Sequence, residues 1–370
     1  MDNHRLQALH DAGQSIWLDY IDRTMLHNGD LERRLTDDVL TGMTSNPTIF
    51  QKALAEGHAY DDQLRGAPAS LDVGQLFELV ETQDVRDACD IFANVYHSTD
   101  GQDGFVSIEV SPGLANDATG TIEEARRLWK TVNRPNLLVK VPGTEQGAHA
   151  VRQLITEGIN VNITLLFAVS AHERVIDAYI DGLEARVARG EPIDRIASVA
   201  SFFVSRVDTE VDRRLEAIGG EARRLEGKAA IANAKMAYQL FVTKFGGSRW
   251  AALEAKGARV QRPLWASTST KNAAYRDVVY VENLIGPHTV NTMPPKTLED
   301  FRDHGIVART VDADVDAARA DLAALARAGI DIDDVTDTLL REGITSFEKS
   351  FSTLSDGIRT KIAQLRQRTA

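Results

Sequence analysis

Short runs of apolar and β-branched residues recur along the chain. Each is followed by a polar turn and then by a longer stretch with apolar positions every three or four residues, the pattern of repeated strand–helix units. The runs cover residues 15–21, 42–50, 104–110, 136–141, 159–167, 197–207, 260–267 and 289–293. Helical periodicity is clearest over 122–132, 147–157, 171–189, 209–215 continuing through 228–244, and 297–305. The runs are apolar on both faces, as strands are when helices cover both sides of a parallel sheet, and eight of them suffice to close the sheet on itself. The pattern predicts a (β/α)8 barrel, with an open doubly wound sheet as the alternative. Neither GxGxxG after the first run nor GxxxxGK[ST] occurs, so neither nucleotide-binding signature is present and the barrel is favoured.

Two stretches depart from the repeat. Residues 51–72 read as a long polar insertion, and 219–228 as a turn within one long helical region. Near the C-terminus Phe347, Phe351, Leu354, Ile358, Ile362 and Leu365 fall at spacings of three and four. They make one apolar stripe, which predicts a helix over 346–368 packed on or over the barrel. Residues 1–370 are accordingly expected to form one barrel domain with additional N-terminal and C-terminal helices.

Composition narrows the function classes. With 370 residues, 43% of them hydrophobic, the chain can bury a large core. Its longest apolar stretches are about half of the ~20 residues a membrane helix needs, and MDNHRLQALHDAG has no signal-peptide pattern. A single cysteine, Cys89, rules out a disulfide framework, and a cytoplasmic location is expected. The net charge of −12 argues against nucleic acid or an anionic membrane as partner, so an anionic ligand would need its own local cations. The nine histidines show no paired metal-ligand spacing, and no metal is expected.

In a barrel of this kind the chemistry sits at the carboxyl ends of the strands, and the polar residues late in the runs line up there. They are Asp19, Asn46, Glu109, Lys140, Asn162 with Thr164, Ser201 with Arg206, Ser267 through Lys271, and Asn291. An Asn, Ser or Thr there is often no more than a hydrogen-bonded strand end. A lysine between Val139 and Val141 carries more weight: it must give up its proton or have carboxylates close by. A neutral amine is a nucleophile suited to Schiff-base chemistry, whereas a structural lysine is better placed on a helix surface, where Lys130, Lys235 and Lys244 are expected. The competing reading of Lys140 is a buried salt bridge to Asp19 or Glu109. Imine chemistry also needs proton transfers, which two carboxylates from different strands can supply. Arg206 and Lys271 can hold a phosphate, and serines 201, 267 and 269 add neutral donors.

Over nearly its whole length the sequence resembles the transaldolases, in particular the bacterial members of the pentose phosphate pathway. The resemblance is carried by WLDYIDR, GMTSNPTIF, VSIEVSP, NLLVKVPGT, INVNITLLF, ASFFVSRVD and LWASTSTKN followed by YVENLIGPHTVNTMP. It implies a cofactor-free transfer of a dihydroxyacetone unit from sedoheptulose 7-phosphate to glyceraldehyde 3-phosphate through a lysine Schiff base. Lys140 would be the nucleophile and Asp19 the acid/base at the donor hydroxyl, with Glu109 and Thr164 positioning a water. Asn46 and Asn162 would hydrogen-bond the dihydroxyacetone moiety, Ser201 and Phe203 would line the pocket, and Arg206 would bind phosphate. Shorter family members carry an arginine in a GASFRN-like stretch as second phosphate ligand. This chain reads WASTSTKN there, leaving Lys271 or the hydroxyls of Ser267 and Ser269 for that place. The partners implied are small sugar phosphates acting on a monomer or homodimer. Related aldolases that release free dihydroxyacetone, and a barrel that only binds, are the rival readings.

Overall fold

The computed structural model describes residues 3–55 and 57–367. Its centre is a closed parallel barrel of eight strands in sequential order, β1 Gln14–Asp19, β2 Gly42–Thr44, β3 Phe105–Glu109, β4 Leu137–Pro142, β5 Val161–Leu166, β6 Ser198–Phe203, β7 Arg262–Ala266 and β8 Thr289–Met293. Every predicted run contributes one strand, and the open-sheet alternative falls because β8 pairs with β1. Helices cover the outside of the barrel. Val139 and Val141 are fully buried, as expected for strand residues that face a helix layer.

The runs overshoot the strands where a helix begins. GMTSNPTIF is a strand only to Thr44, because Asn46 accepts a hydrogen bond from the Ile49 amide at 3.0 Å and Pro47 opens the helix Pro47–Ala55. ASFFVSRV likewise ends its strand at Phe203, and Ser205 starts the helix Ser205–Ile218. Half of the polar insertion 51–72 is helical, being the end of Pro47–Ala55 and the short helix Asp61–Gly66. Residues 219–228 contain a 3-10 turn, Gly220–Leu225.

The C-terminal helix is longer than its apolar stripe, running Ile332–Gln367; residue 368 of the expected span lies outside the described residues. It packs on Pro47–Ala55 through Thr48 and Ser350, whose hydroxyls are 2.8 Å apart, and through Lys361, which donates to the carbonyls of Leu54 and Gly57. Phe351 meets Phe77 edge to face, and Phe77 meets Phe50 in the same way. Lys235 is not the surface lysine that was expected. It is buried and donates to the Ala313 carbonyl at 2.7 Å.

Strand periodicity sends Ser15, Trp17 and Asp19 of β1 to one side. At the amino end of the barrel, Ser15 and Trp17 both bond the buried Asp103, and Arg262 from β7 bonds Ser15 at 2.7 Å and meets Asp103 at 3.4 Å. This polar network ties the amino end together, beside a cavity of about 830 Å3 that Ser15, Asp103 and Arg262 also line. Trp17 also fixes its neighbour: a Cβ on Gly42 would lie 2.5 Å from the indole ring.

His172, on the helix Val169–Ala188, is fully buried against Phe202, and neither ring nitrogen is hydrogen-bonded among the described residues. Burial lowers its pKa to about 4, from about 6.5 in an unfolded chain. Between those values the unfolded chain takes up a proton that the folded protein does not, so this contribution is intact above pH 6.5 and is lost as pH falls towards 4. We expect His172→Leu to remove roughly 3 kcal/mol of the stability change across that window, read from urea midpoints against pH.

Candidate active site

Glu109, Lys140 and Asn162 stand side by side in the β3–β4–β5 register. Neighbouring strands in register place these three side chains on the same face, the barrel interior. The Lys140 ammonium lies 3.1 Å from Glu109 Oε2 and donates its directed hydrogen bond to the Ser45 carbonyl at 3.0 Å. Both side chains are almost wholly enclosed, with 7% and 2% exposure. Of the two carboxylates expected to face the lysine, Glu109 is thus in contact. Glu109 Oε2 makes no directed hydrogen bond, and Thr164 Oγ1 is also buried without a partner. An open hydroxyl on β5 and a carboxylate oxygen on β3 that meets only Lys140, on either side of the lysine's strand, suit a small hydrogen-bonding molecule.

Asp19 enters from β1. It accepts from Thr44 Oγ1 at 2.7 Å, and Thr44 in turn meets Thr292 Oγ1 at 2.6 Å, so hydroxyls from β2 and β8 brace it. Burial raises the pKa of Asp19, opposed first by the charge of Lys140 and then by Thr44, Arg206 and Lys271. Burial also raises Glu109, with Lys140 opposing. Both carboxylates thus feel the Lys140 charge, and Glu109 also feels that of Asp19.

Ten of the twelve expected residues line a cavity of about 310 Å3 at the carboxyl end: Asp19, Asn46, Lys140, Thr164, Ser201, Phe203, Arg206, Ser267, Ser269 and Lys271. Glu109 and Asn162 are not on its surface. Asn162 is instead engaged on both ends of its amide, donating to Ser107 Oγ at 3.0 Å and accepting from Ser201 Oγ at 2.7 Å. A fully buried amide held in this way orients Ser201 rather than presenting a free group.

At the outer end of the cavity Arg206 lies over the Phe203 ring, 5.2 Å from its centroid, and makes no ion pair among the described residues. Burial lowers its pKa, with Asp19 opposing. Lys271 donates to Ser269 Oγ at 2.6 Å, and both burial and the Arg206 charge lower its pKa. Two cations that repel each other inside an acidic protein make a site for a dianion. Ser267 has φ 55° and its hydroxyl is tied to Ser205 Oγ at 2.9 Å, turning the chain after β7 back across the cavity.

Several lining residues are not among those the sequence pattern picks out. Thr44 and Thr292 are late polar residues of β2 and β8, close in sequence to Asn46 and Asn291. Lys52 sits in the segment read as an insertion, and its helical periodicity places it at the rim. Phe347 lines the cavity, whereas Phe351 packs on Phe77 outside it. The C-terminal helix thus brings one ring of its stripe to the site.

A family model described as Transaldolase/Fructose-6-phosphate aldolase matches residues 16–358. The chain belongs to the transaldolase/fructose-6-phosphate aldolase family. It is 50% identical over 364 residues to a transaldolase of Acidothermus cellulolyticus, covering 98% of both chains. A transaldolase of Mycolicibacterium smegmatis is 49% identical, with 97% of this chain and 98% of that one covered. A third, from Trichodesmium erythraeum, is 45% identical with 98% of each chain covered. Membership thus extends from β1 into the C-terminal helix.

Removing one partner of a buried ion pair strands the other charge. Glu109→Gln is expected to lower stability by about 3–5 kcal/mol in urea unfolding, and adding Lys140→Met to recover part of that loss.

Proposed function

We propose that the protein is a transaldolase that moves a dihydroxyacetone unit from sedoheptulose 7-phosphate to glyceraldehyde 3-phosphate, yielding erythrose 4-phosphate and fructose 6-phosphate. The observation that carries this reading is a buried Lys140 between Glu109 and the wall of a cavity that also holds Asp19 and, at its far end, Arg206 and Lys271. One cavity holding the lysine and two cations suits a phosphorylated sugar with its ketone at the lysine.

In the proposed reaction Lys140 passes a proton to Glu109 and adds to the C2 carbonyl of the donor. Glu109 then protonates the departing hydroxyl, leaving an iminium ion and water. Thr164, with its free hydroxyl, orients that water. Asp19 removes the C4 hydroxyl proton as the C3–C4 bond breaks; the aldose leaves and an enamine remains on Lys140. The acceptor aldehyde enters, the enamine carbon attacks it, and Asp19 returns its proton to the new hydroxyl. Hydrolysis of the imine restores the lysine.

Asn46 and Ser201 hydrogen-bond the three-carbon unit; Asn162 acts through Ser201. Phe203 holds the Arg206 guanidinium flat, and Arg206, Lys271, Ser267 and Ser269 take the phosphate. Transfer rather than release requires that the enamine be kept from water and protons until the acceptor arrives. The Phe347 ring at the cavity, held by a helix clamped to Pro47–Ala55, favours transfer over the aldolase reading. Appreciable free dihydroxyacetone from fructose 6-phosphate without an acceptor would reverse that preference.

Borohydride reduction with fructose 6-phosphate should leave a dihydroxyacetone or hexose phosphate adduct on Lys140, seen by mass spectrometry and absent in Lys140→Ala. Asp19→Ala should still be trapped while losing about 10²–10⁴-fold in turnover, as expected for loss of a general acid–base. Arg206→Ala should raise KM for phosphorylated substrates about 10–100-fold with a smaller effect on kcat, the cost of one charge-assisted contact. An unchanged KM moves the phosphate elsewhere.

A further inference from the structure

Glu109 is absent from the wall of the substrate cavity because it faces another one. A separate space of about 570 Å3 lies between the helices Val73–Ile91 and Ala118–Val132, with Glu109 on its wall and the exposed Thr131 and Arg127 among its lining residues. Five carboxylates line it, and four are engaged. Asp72 accepts from the Gln75 amide at 2.9 Å, Glu78 pairs with Arg127 at 2.9 Å, Glu124 accepts from the Ser111 amide and hydroxyl, and Glu109 meets Lys140. The fifth, Glu81, is 5% exposed and has no hydrogen bond or ion pair among the described residues. A buried carboxyl without a protein partner is costly unless it is protonated and bonded to water. Burial raises the Glu81 pKa well above the ordinary carboxylate range, with Glu109, Glu124, Glu78 and Asp84 adding to the rise.

We propose that this space is the water port of Lys140, and that Glu81 is a positioning residue acting on the port's water and, through it, on Glu109. The inference rests on the reading of Lys140 as the Schiff-base lysine. Imine formation releases one water: the ammonium proton goes to Glu109, the amine adds, and Glu109 returns the proton to the departing hydroxyl. Iminium, water and the Glu109 carboxylate remain, so protons balance within the pair and only the water has to leave. A sugar phosphate occupies the 310 Å3 cavity at that moment, while Glu109, the partner of Lys140, lies on the wall of the other space, and in this proposal the water leaves to that side. Hydrolysis draws water back by the same route, away from the enamine carbon.

As a neutral acid, Glu81 donates through water to the Glu109 carboxylate. Once ionised, it sets a second negative charge beside Glu109, which then holds its proton more tightly and becomes a poorer acid. The other charges facing Glu81 or its space are Glu124 and Arg127 from Ala118–Val132, Glu78 and Asp84 from its own helix, and Asp72, which caps that helix. Asp84 is neutralised by Arg23 at 2.6 Å and Glu78 by Arg127.

The test compares wild type, Glu81→Gln, Glu81→Asp and the rim variant Thr131→Trp, using fructose 6-phosphate. The readouts are the borohydride-trapping rate against pH and exchange of the C2 oxygen with ¹⁸O-water. Glu81→Gln should move the alkaline limb of trapping by about one pH unit or abolish it, with KM within about twofold and Glu81→Asp restoring the limb. Thr131→Trp should slow oxygen exchange about tenfold at unchanged KM. Its substitution is on the surface, so it decides the matter even if Glu81→Gln fails to fold. A wild-type adduct together with an unmoved limb and unchanged exchange overturns this inference alone. No adduct in the wild type overturns the Schiff-base reading and this inference with it.

Discussion

One ammonium group enclosed in the middle of a closed sheet sets the terms for the rest of the molecule. Burying it unpaired would cost several kcal/mol, and the Glu109 carboxylate on the adjoining strand, with the Ser45 carbonyl, offsets that cost. The pair is possible because β3 and β4 are in register at these two residues. A slip of one residue would turn Lys140 into the helix layer and Val139 or Val141 into the interior. The barrel's closure through β1 and β8 then brings Asp19 into the same field, where Thr44 and Thr292 brace it from the strands on either side.

The two ends of the barrel serve different purposes. The amino end is tied by Asp103 to Ser15, Trp17 and Arg262. At the carboxyl end Thr164 Oγ1 lines the cavity and is buried without a hydrogen-bond partner among the described residues, and Glu109 Oε2 has the Lys140 ammonium against it. A buried hydroxyl left open on a cavity wall, next to an enclosed ion pair, suits a ligand that can bond it. The ligand's charge can be inferred from the cations of the same cavity. In a protein of net charge −12, Arg206 and Lys271 share one end of a small cavity, and Phe203 supports the guanidinium from beneath.

The site also has two sides. The proposed substrate faces Lys140 from the cavity under Phe347, while Glu109 looks away from it into a different space. The helix Ile332–Gln367 contributes to both sides, since Phe347 lines one cavity and Phe351 the other.

The sequence by itself determined the eight strands, their parallel arrangement and most of the polar residues that gather at their ends, because strand periodicity and apolar runs are local properties of the chain. It also marked Lys140 as out of place among Leu138, Val139 and Val141, with Asp19 or Glu109 as its candidate partners. Where the runs overshot, at Asn46-Pro47 and Ser205-Arg206, the deciding factor was a cap or a helix start, which hydropathy does not register. Only the tertiary structure decided that Glu109 is the carboxylate in contact with Lys140, that Asn162 is turned to Ser201 instead of the cavity, and that Lys235 is interior. It alone brought Lys52, Phe347 and the unpaired Glu81 near the site. Each of these depends on which residues meet across strands and between the barrel and its helices, and such meetings are set by the closure and stagger of the barrel, not by spacing along the chain.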